Sequence, residues 1–195
     1  MARTRLSRAD RYDQLIDVSW ALVRAEGADA LTLGRLAERA GVAKPVVYSH
    51  FASRPALLAA LFKEFDDRQT AMLEEYLDAA DATLDGRASA IANSYVGCAL
   101  AQGRELTGVL AALEGSPELE QVKRDADQAY SGRCREILAP FTGPAGVSVP
   151  SITAIFGAAE ALSHAAVTGT LTADQARSEL TAMIIAIVGR SSEQP

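Results

Sequence analysis

The spacing of apolar positions predicts helices along almost the whole chain. A first helix ends at Gly27, and its apolar face carries Tyr12, Leu15, Ile16, Ser19 and Val23. A much longer apolar series starts after Ser53 and runs to Leu77. Further helices are predicted over about 87–102, 105–114, 118–139, 151–168 and 173–189. No apolar–polar alternation typical of strands is present, so the predicted fold class is all-α.

Residues 31–51 predict two short helices joined by a tight turn. Thr32 has the side chain of an N-cap, and an apolar face follows at Leu33, Leu36, Ala37 and Ala40. Gly41 is able to take the left-handed conformation that ends a helix. A second helix then starts near Lys44, because Pro45 is tolerated only in a first turn. A helix-turn-helix of this shape fits the major groove of DNA.

The second of these helices, which extends to His50 in this prediction, combines a short apolar face with an outward polar and aromatic one. Val47 and Phe51 are four residues apart and face the core. The outward face then consists of Lys44, Pro45, Val46, Tyr48 and His50. A cation, an aromatic ring and an imidazole on so short a helix suit contacts to phosphates.

The segment resembles the DNA-binding domain of the TetR family of transcriptional regulators over about residues 8–62. The matching features are Thr32, Leu36-Ala37, Gly41-Val42, Lys44, the Tyr48-x-His50-Phe51 end, Ser53-Arg54 and Leu57-Leu58. The resemblance implies that Lys44 and its neighbours read bases or position the helix. It also implies that Tyr48, His50 and Arg54 contact the phosphate backbone. One departure is Gly34, where many relatives carry a side chain that reaches DNA.

The DNA-binding candidates are therefore Thr32, Lys44, Pro45, Val46, Tyr48, Ser49, His50 and Arg54. Other interpretations remain open at several of these positions. The segment could be an ordinary helical hairpin, with Tyr48 and His50 partly buried. His50 could be a solvated surface residue, Arg54 could only cap a helix end, and Pro45 and Val46 could only shape the helix.

Charge is distributed unevenly along the chain. The net charge is −6, yet residues 1–55 carry +3 and residues 56–195 carry −9. A basic N-terminal tail with Arg3, Arg5, Arg8 and Arg11 would add phosphate contacts, or would be a solvated tail. No membrane span and no signal-peptide core are present, so we expect a cytoplasmic protein. Cys98 and Cys134 lack metal-ligand spacing and are interpreted as buried thiols, and no cofactor is expected.

The C-terminal part of the chain lacks a motif that specifies chemistry. We expect a helix-turn-helix domain at 1–56, and a long helix leading into a helical ligand-binding and dimerisation domain at 57–195. The resemblance implies that the last two helices, which are rich in small residues, form a four-helix interface in a homodimer; packing within one chain is the alternative. The candidate residues for a small-molecule effector are Tyr95, Cys98, Leu110, Glu114, Tyr130, Cys134, Phe156, Glu160 and His164.

The function predicted from these features is regulation of transcription. By resemblance, the dimer would bind a palindromic operator on double-stranded DNA as a repressor, and a small molecule would release it. An enzyme is disfavoured, because Glu160, Ser163 and His164 share one helix without the geometry of a catalytic triad. The remaining alternative is a small-molecule-binding protein with a vestigial DNA-binding domain, for which Gly34 is the only support in the sequence.

Overall fold

The protein is described by a computed structural model that covers residues 6–113 and 116–192. Within that part of the chain there are nine α-helices and no strand, as the apolar spacing predicted. None of the helices described is long and apolar enough to cross a membrane. The helices are α1 Arg8–Glu26, α2 Leu33–Ala40, α3 Lys44–Tyr48, α4 Arg54–Ala79, α5 Leu84–Gln102, α6 Arg104–Leu113, α7 Pro117–Leu138, α8 Val149–Val167 and α9 Ala173–Ser192.

The first compact unit comprises residues 1–64 together with 104–123, of which the structure describes 6–64, 104–113 and 116–123. Ser7 caps α1 with a reciprocal capping box, in which Asp10 bonds back to the cap residue. Gly27, at a φ of +84°, ends the helix at the predicted position and leads into a 3-10 turn at Ala28–Ala30. Large side chains fill the core of this unit, including Leu15, Leu22, Leu31, Leu36, Leu57 and Leu61.

Helix α6 packs within the first unit, although it begins 50 residues after the start of α4. Arg24 on α1 donates to the Glu105 carboxylate at 2.6 Å. At Gly108, an added Cβ would come within 3.4 Å of the Ala28 methyl group, so a small residue allows the close approach. Sequence reasoning assigned α6 to the C-terminal domain, because helical spacing does not identify the partner of a face. The functional division after residue 56 stays a prediction.

The second unit comprises residues 65–103 and 124–195, of which the structure describes those up to 192. Its core is built from α5, α8 and α9, together with residues 65–79 of α4 and the later turns of α7. The buried core includes Leu73, Ile91, Val96, Cys134, Leu138, Ile155, Leu180 and Ile184. Both cysteines are buried thiols, as predicted.

Candidate nucleic-acid interface

The turn between α2 and α3 is held by backbone and cap hydrogen bonds. The Thr32 hydroxyl accepts from the Arg35 amide at 3.2 Å and so caps α2. Gly41 takes the left-handed conformation, with a φ of +64°. The following amide, that of Val42, then donates to the Ala37 carbonyl at 3.0 Å. The short helix after this turn is thereby fixed against α2.

Helix α3 has one buried face, which packs on the core, and one exposed face. Val47 and the following Phe51 are almost completely buried. Tyr48, one position along, is 54% exposed, and it is among the few large apolar side chains exposed in the part of the chain described. Lys44 and Pro45 are also exposed. The short helix therefore presents a cation and an aromatic ring on a rigid base.

The helix ends two residues earlier than predicted. The structure ends α3 at Tyr48, and Ser49 and His50 form a turn. The Ser49 hydroxyl donates to the Val46 carbonyl at 2.7 Å, which draws it back onto the helix. The Ser49 carbonyl accepts from the Arg8 guanidinium at 3.3 Å. Arg8 thus lies beside the end of α3, next to the candidate DNA contacts.

His50 is half-buried, although it was predicted to face outward. Its ring lies 6.2 Å from the centroid of Tyr12 and 6.2 Å from that of Phe51. Burial lowers the pKa of the imidazole below its usual value, and the positive charges of Arg8 and Arg11 lower it further. A phosphate placed beside the ring would oppose these effects, because a negative charge raises the pKa of an imidazole. The phosphate contact itself stays a prediction.

Arg54 is committed to the protein backbone. Its Nε donates to the Leu31 carbonyl at 2.9 Å, and its Nη2 donates to the Ala28 carbonyl, also at 2.9 Å. The Asp29 carboxylate lies 3.9 Å from the same nitrogen. Arg54 therefore clamps the 3-10 turn onto α4, in line with the helix-end interpretation that the sequence left open. A phosphate contact from Arg54 stays a prediction.

Gly34 occupies an open position beside Lys44. A Cβ added there would lie 3.9 Å from the Lys44 Cε and 4.0 Å from the Thr32 hydroxyl, both ordinary contact distances. Neither packing nor backbone conformation therefore requires glycine at this position. Because no side chain covers it, this part of α2 is flat next to the lysine.

Five of the ligand candidates lie together in the core of the second unit. The rings of Tyr95, Tyr130 and Phe156 form a triangle whose centroids are 5.7 to 6.3 Å apart. Cys134 is buried in the same cluster. Cys98 is also buried, and it lies near enough to Tyr95 to influence the pKa of that hydroxyl. Sequence reasoning named all five, but nothing in the spacing indicated that three aromatic rings from three helices would meet.

The buried titratable groups of this cluster are held neutral, although the carboxylates of Glu160 and Asp127 lie near enough to act on Tyr95. The Tyr130 hydroxyl shares a 3.1 Å hydrogen bond with the Ser94 hydroxyl. Burial raises the pKa values of Tyr95 and Tyr130 far above the usual tyrosine value, and it raises the pKa of Cys134 to about 12. All three groups are thus neutral near pH 7.

The other ligand candidates are not brought into this cluster. Glu160 and His164 lie on the exposed face of α8. Leu110 belongs to α6 and thus to the first unit, and Glu114 lies outside the described residues. Sequence reasoning also overlooked Gln69, whose side chain is buried and hydrogen-bonds to Tyr130. A polar residue within the apolar series of a long helix was the signal for it.

Comparison with known proteins agrees with this arrangement. Residues 15–61 match the family model described as bacterial regulatory proteins, tetR family. No curated protein matches the chain. Among solved structures, a TetR-family regulator described as putative from Rhodococcus sp. has 19% identity and a TM-score of 0.76, covering 92% of this chain and 99% of its own.

Two further solved structures have the same fold. A TetR-family transcriptional regulator from Streptomyces coelicolor is 17% identical with a TM-score of 0.75, covering 95% of this chain and 97% of its own. The fatty acid degradation regulator FadR from Bacillus halodurans is 18% identical with a TM-score of 0.73, covering 90% of this chain and 94% of its own. At these identities the likeness shows the fold, over nearly the full length of each chain.

Proposed function

We propose that this protein is a repressor of transcription. Its N-terminal helix-turn-helix domain belongs to the TetR family of bacterial regulatory proteins. The protein binds a palindromic operator as a homodimer and leaves it when a small molecule binds. The observation that carries the proposal is the exposed surface of α3, where Tyr48 and Lys44 project from a helix held by the buried Val47. Because Tyr48 is exposed, its ring is accessible to a partner.

Each exposed residue has a separate expected role. Lys44, at the start of α3, reads base edges, whereas Tyr48 and the neighbouring His50 contact phosphates. Thr32, Pro45, Val46 and Ser49 position the helix or touch the backbone. Arg8, beside Ser49, adds a further phosphate contact that the arginine-rich N-terminus anticipated.

The homodimer rests on exposed small residues of the last two helices. Ala154, Gly157 and Ala161 follow one another along the exposed face of α8, and Ala182 and Ala186 do so on α9. An added Cβ at Gly157 would touch nothing within 4 Å. Helices with small residues on their outer faces are able to approach a second pair closely, which gives a four-helix interface. The dimer in turn supplies two recognition helices for successive major grooves about 34 Å apart.

Release by an effector requires two states of the dimer. A molecule that binds among the second unit's helices favours one arrangement of them, and it shifts the equilibrium only by its difference in affinity for the two states. Because α4 runs from the first unit into the second, a change around Leu73 would be transmitted along a continuous helix. The fatty acid regulator among the structural neighbours supports a regulatory role for this fold.

The experiment that tests the proposal is fluorescence anisotropy with the DNA upstream of the protein's own gene and a scrambled control, over a salt series. We expect preferential binding with a steep negative dependence on salt. Lys44→Ala should relax sequence preference by roughly 1–3 kcal/mol, whereas Tyr48→Ala should weaken binding to both DNAs equally. Arg133→Ala removes an equal charge from the second unit and serves as the matched control. Equal, weak binding to both DNAs at low salt would contradict an operator at this site.

The dimer has its own test in sedimentation or light scattering. Gly157→Arg should produce monomers and lower operator affinity. Gly132→Arg on α7 is the matched control, because a Cβ at that helical glycine also meets nothing within 4 Å. A dimer that survives Gly157→Arg would contradict an interface through α8.

A further inference from the structure

Three buried polar atoms of the second unit lack a hydrogen-bond partner. They are the Gln102 Nε2, the Ser163 Oγ and the Arg177 Nε, and no other buried side-chain nitrogen or oxygen of the described residues is in this state. Gln102 and Ser163 are each only 3% exposed. Buried polar groups in folded proteins are nearly always paired, so each exception indicates a partner from elsewhere.

Ser163 and Arg177 lie at the same level of the α8–α9 hairpin. The hairpin turns at Thr170, whose amide donates to the Ala165 carbonyl at 2.8 Å. Ser163 is seven residues before Thr170, and Arg177 is seven residues after it. In two antiparallel helices these positions are equally far from the turn, about two helical turns.

Helices α5 and α8 run in the same direction. Residues later in α4 contact earlier residues of α5, so α4 and α5 are antiparallel. Residues later in α4 contact later residues of α7, so α4 and α7 are parallel. Residues later in α7 contact earlier residues at and before the start of α8, so α7 and α8 are antiparallel. Helices α5 and α8 are thus both antiparallel to α7. The contacts are Leu77–Arg87 and Met72–Gly97 for α4 and α5, Gln69–Tyr130 and Glu74–Arg133 for α4 and α7, and Arg135–Val147 and Tyr130–Phe156 for α7 and α8.

The parallel course brings Gln102 to the level of Ser163. The rings of Tyr95 on α5 and Phe156 on α8 are 5.9 Å apart. Gln102 and Ser163 each follow their aromatic residue by seven positions, which is about two turns and about 10.5 Å on the same helix face. Three helices therefore place the three unpaired groups at one level of the second unit.

The chemistry of these groups defines the missing partner. The Gln102 amide nitrogen and the Arg177 Nε only donate hydrogen bonds, and the Ser163 hydroxyl also donates. One outer nitrogen of the guanidinium already lies 3.5 Å from the Asp174 carboxylate, so the Nε remains for another acceptor. Three donors, one of them on a cation, suit a carboxylate.

The residues between the donors and the aromatic triangle are small and apolar. Cys98 follows Tyr95 by one turn, and Ala159 follows Phe156 by one turn; both are buried. We infer that this level of the second unit holds the carboxylate of an amphipathic organic acid, whose apolar body extends toward the aromatic triangle. The inference rests on the proposed function and names the chemical class of its effector.

The test compares octanoate with octanamide as probes, using the full-length protein in thermal unfolding and calorimetry. The two molecules have the same eight-carbon chain, whose length is close to the distance of about 10.5 Å that separates the donors from the aromatic rings along the helices. They differ in the head group, which is an anionic acceptor in octanoate and a neutral amide in octanamide. We expect octanoate to raise the Tm saturably and to bind at least tenfold more tightly than octanamide. Absence of a saturable shift, or equal binding of both molecules, would overturn the inference.

Variants of two donor residues should change the Tm of the free protein and the affinity for octanoate in opposite directions. Ser163→Ala and Gln102→Leu remove unpaired buried groups, so the Tm without ligand should rise, by roughly 2–4 °C each. The same variants should weaken octanoate binding at least tenfold. Ser19→Ala is the control, because that buried serine already donates to the Leu15 carbonyl at 2.7 Å; octanoate binding should not change. A lower Tm in Ser163→Ala would show that internal water already pairs the hydroxyl, and would overturn the site.

Failure of this inference is distinguishable from failure of the repressor proposal. A protein that binds operator DNA but not octanoate refutes only the carboxylate site. A protein that binds octanoate through Ser163 but binds no DNA refutes only the repressor. Displacement of the operator complex by octanoate, abolished in Ser163→Ala, would support both.

Discussion

The two units hold their candidate sites in opposite ways. In the first unit the candidate side chains are exposed, as at Tyr48, and the residues between them are buried, as at Val47. In the second unit the candidate groups themselves are buried, and they come from helices far apart in sequence, as do Tyr95 and Phe156. A rigid base with an exposed face suits a long charged polymer, whereas a buried interior suits a small molecule.

The largest effect is expected from a substitution that removes the buried support beneath α3. Phe51→Ala removes a ring that is 2% exposed and lies 5.5 Å from Tyr12, so the first unit should lose about 3–5 kcal/mol of stability. Trp20 is the chain's single tryptophan and lies in this unit, with its indole nitrogen 2.9 Å from the Glu64 carboxylate. Denaturant titration followed by tryptophan fluorescence measures the loss. An unchanged midpoint would mean that Phe51 does not support α3.

The helix-turn-helix around the first site could be predicted from the sequence because its determinants are local. Thr32 sets a helix end through its side-chain hydroxyl, and Gly41 and Pro45 do so through their backbone preferences; the structure has those ends where expected. Local preference did not reveal that Arg54 turns inward. The carbonyls it binds, at Ala28 and Leu31, are more than 20 residues away in sequence.

The second site was predictable only as a set of residue types. Tyr95, Tyr130 and Phe156 were named individually, but their meeting depends on the directions of three helices. Gln102 and Ser163 show the same limit, since each looks like an ordinary helical residue until burial and partners are known. Periodicity identifies a buried face and leaves open what the face meets.

Arg54 provides the next test of the comparison. The question is whether its side chain supports the fold of the first unit or contacts DNA. Arg54→Lys cannot reproduce the fork that binds two carbonyls, so stability should fall by roughly 1.5–3 kcal/mol. Tryptophan fluorescence in denaturant measures this loss. If stability is instead unchanged while affinity for all DNA sequences falls, Arg54 is a phosphate contact.

A substitution at Gly34 should have a smaller effect on stability, and it should increase stability rather than lower it. Gly34→Ala should raise stability by about 0.5–1 kcal/mol, because the helix gains backbone order and the methyl group meets only ordinary contacts. Operator affinity should stay unchanged, since the methyl lies 3.9 Å from the Lys44 Cε and does not displace it. Denaturant midpoints and anisotropy measure the two quantities. A loss of affinity without a loss of stability would show that Lys44 needs the flat surface.

The smallest expected effect concerns the protonation of His50, whose pKa in the free protein is lowered by partial burial, Arg8 and Arg11. Between the lowered pKa and the ordinary value near 6.5, the unfolded chain binds more protons, so stability falls as the pH falls. A phosphate beside the ring would raise its pKa again, so DNA binding would take up a proton.

Operator affinity should therefore increase as the pH falls toward 6, by at most tenfold per pH unit for each histidine, while the stability of the free protein decreases. His50→Gln removes the titrating group, so it should reduce the pH dependence of operator affinity and the pH dependence of stability. Anisotropy and thermal unfolding over pH 6–8 measure the two together. If affinity and stability fall in parallel in the wild-type protein, the ring gains no phosphate contact, and His50 belongs with Phe51 to the base of the site.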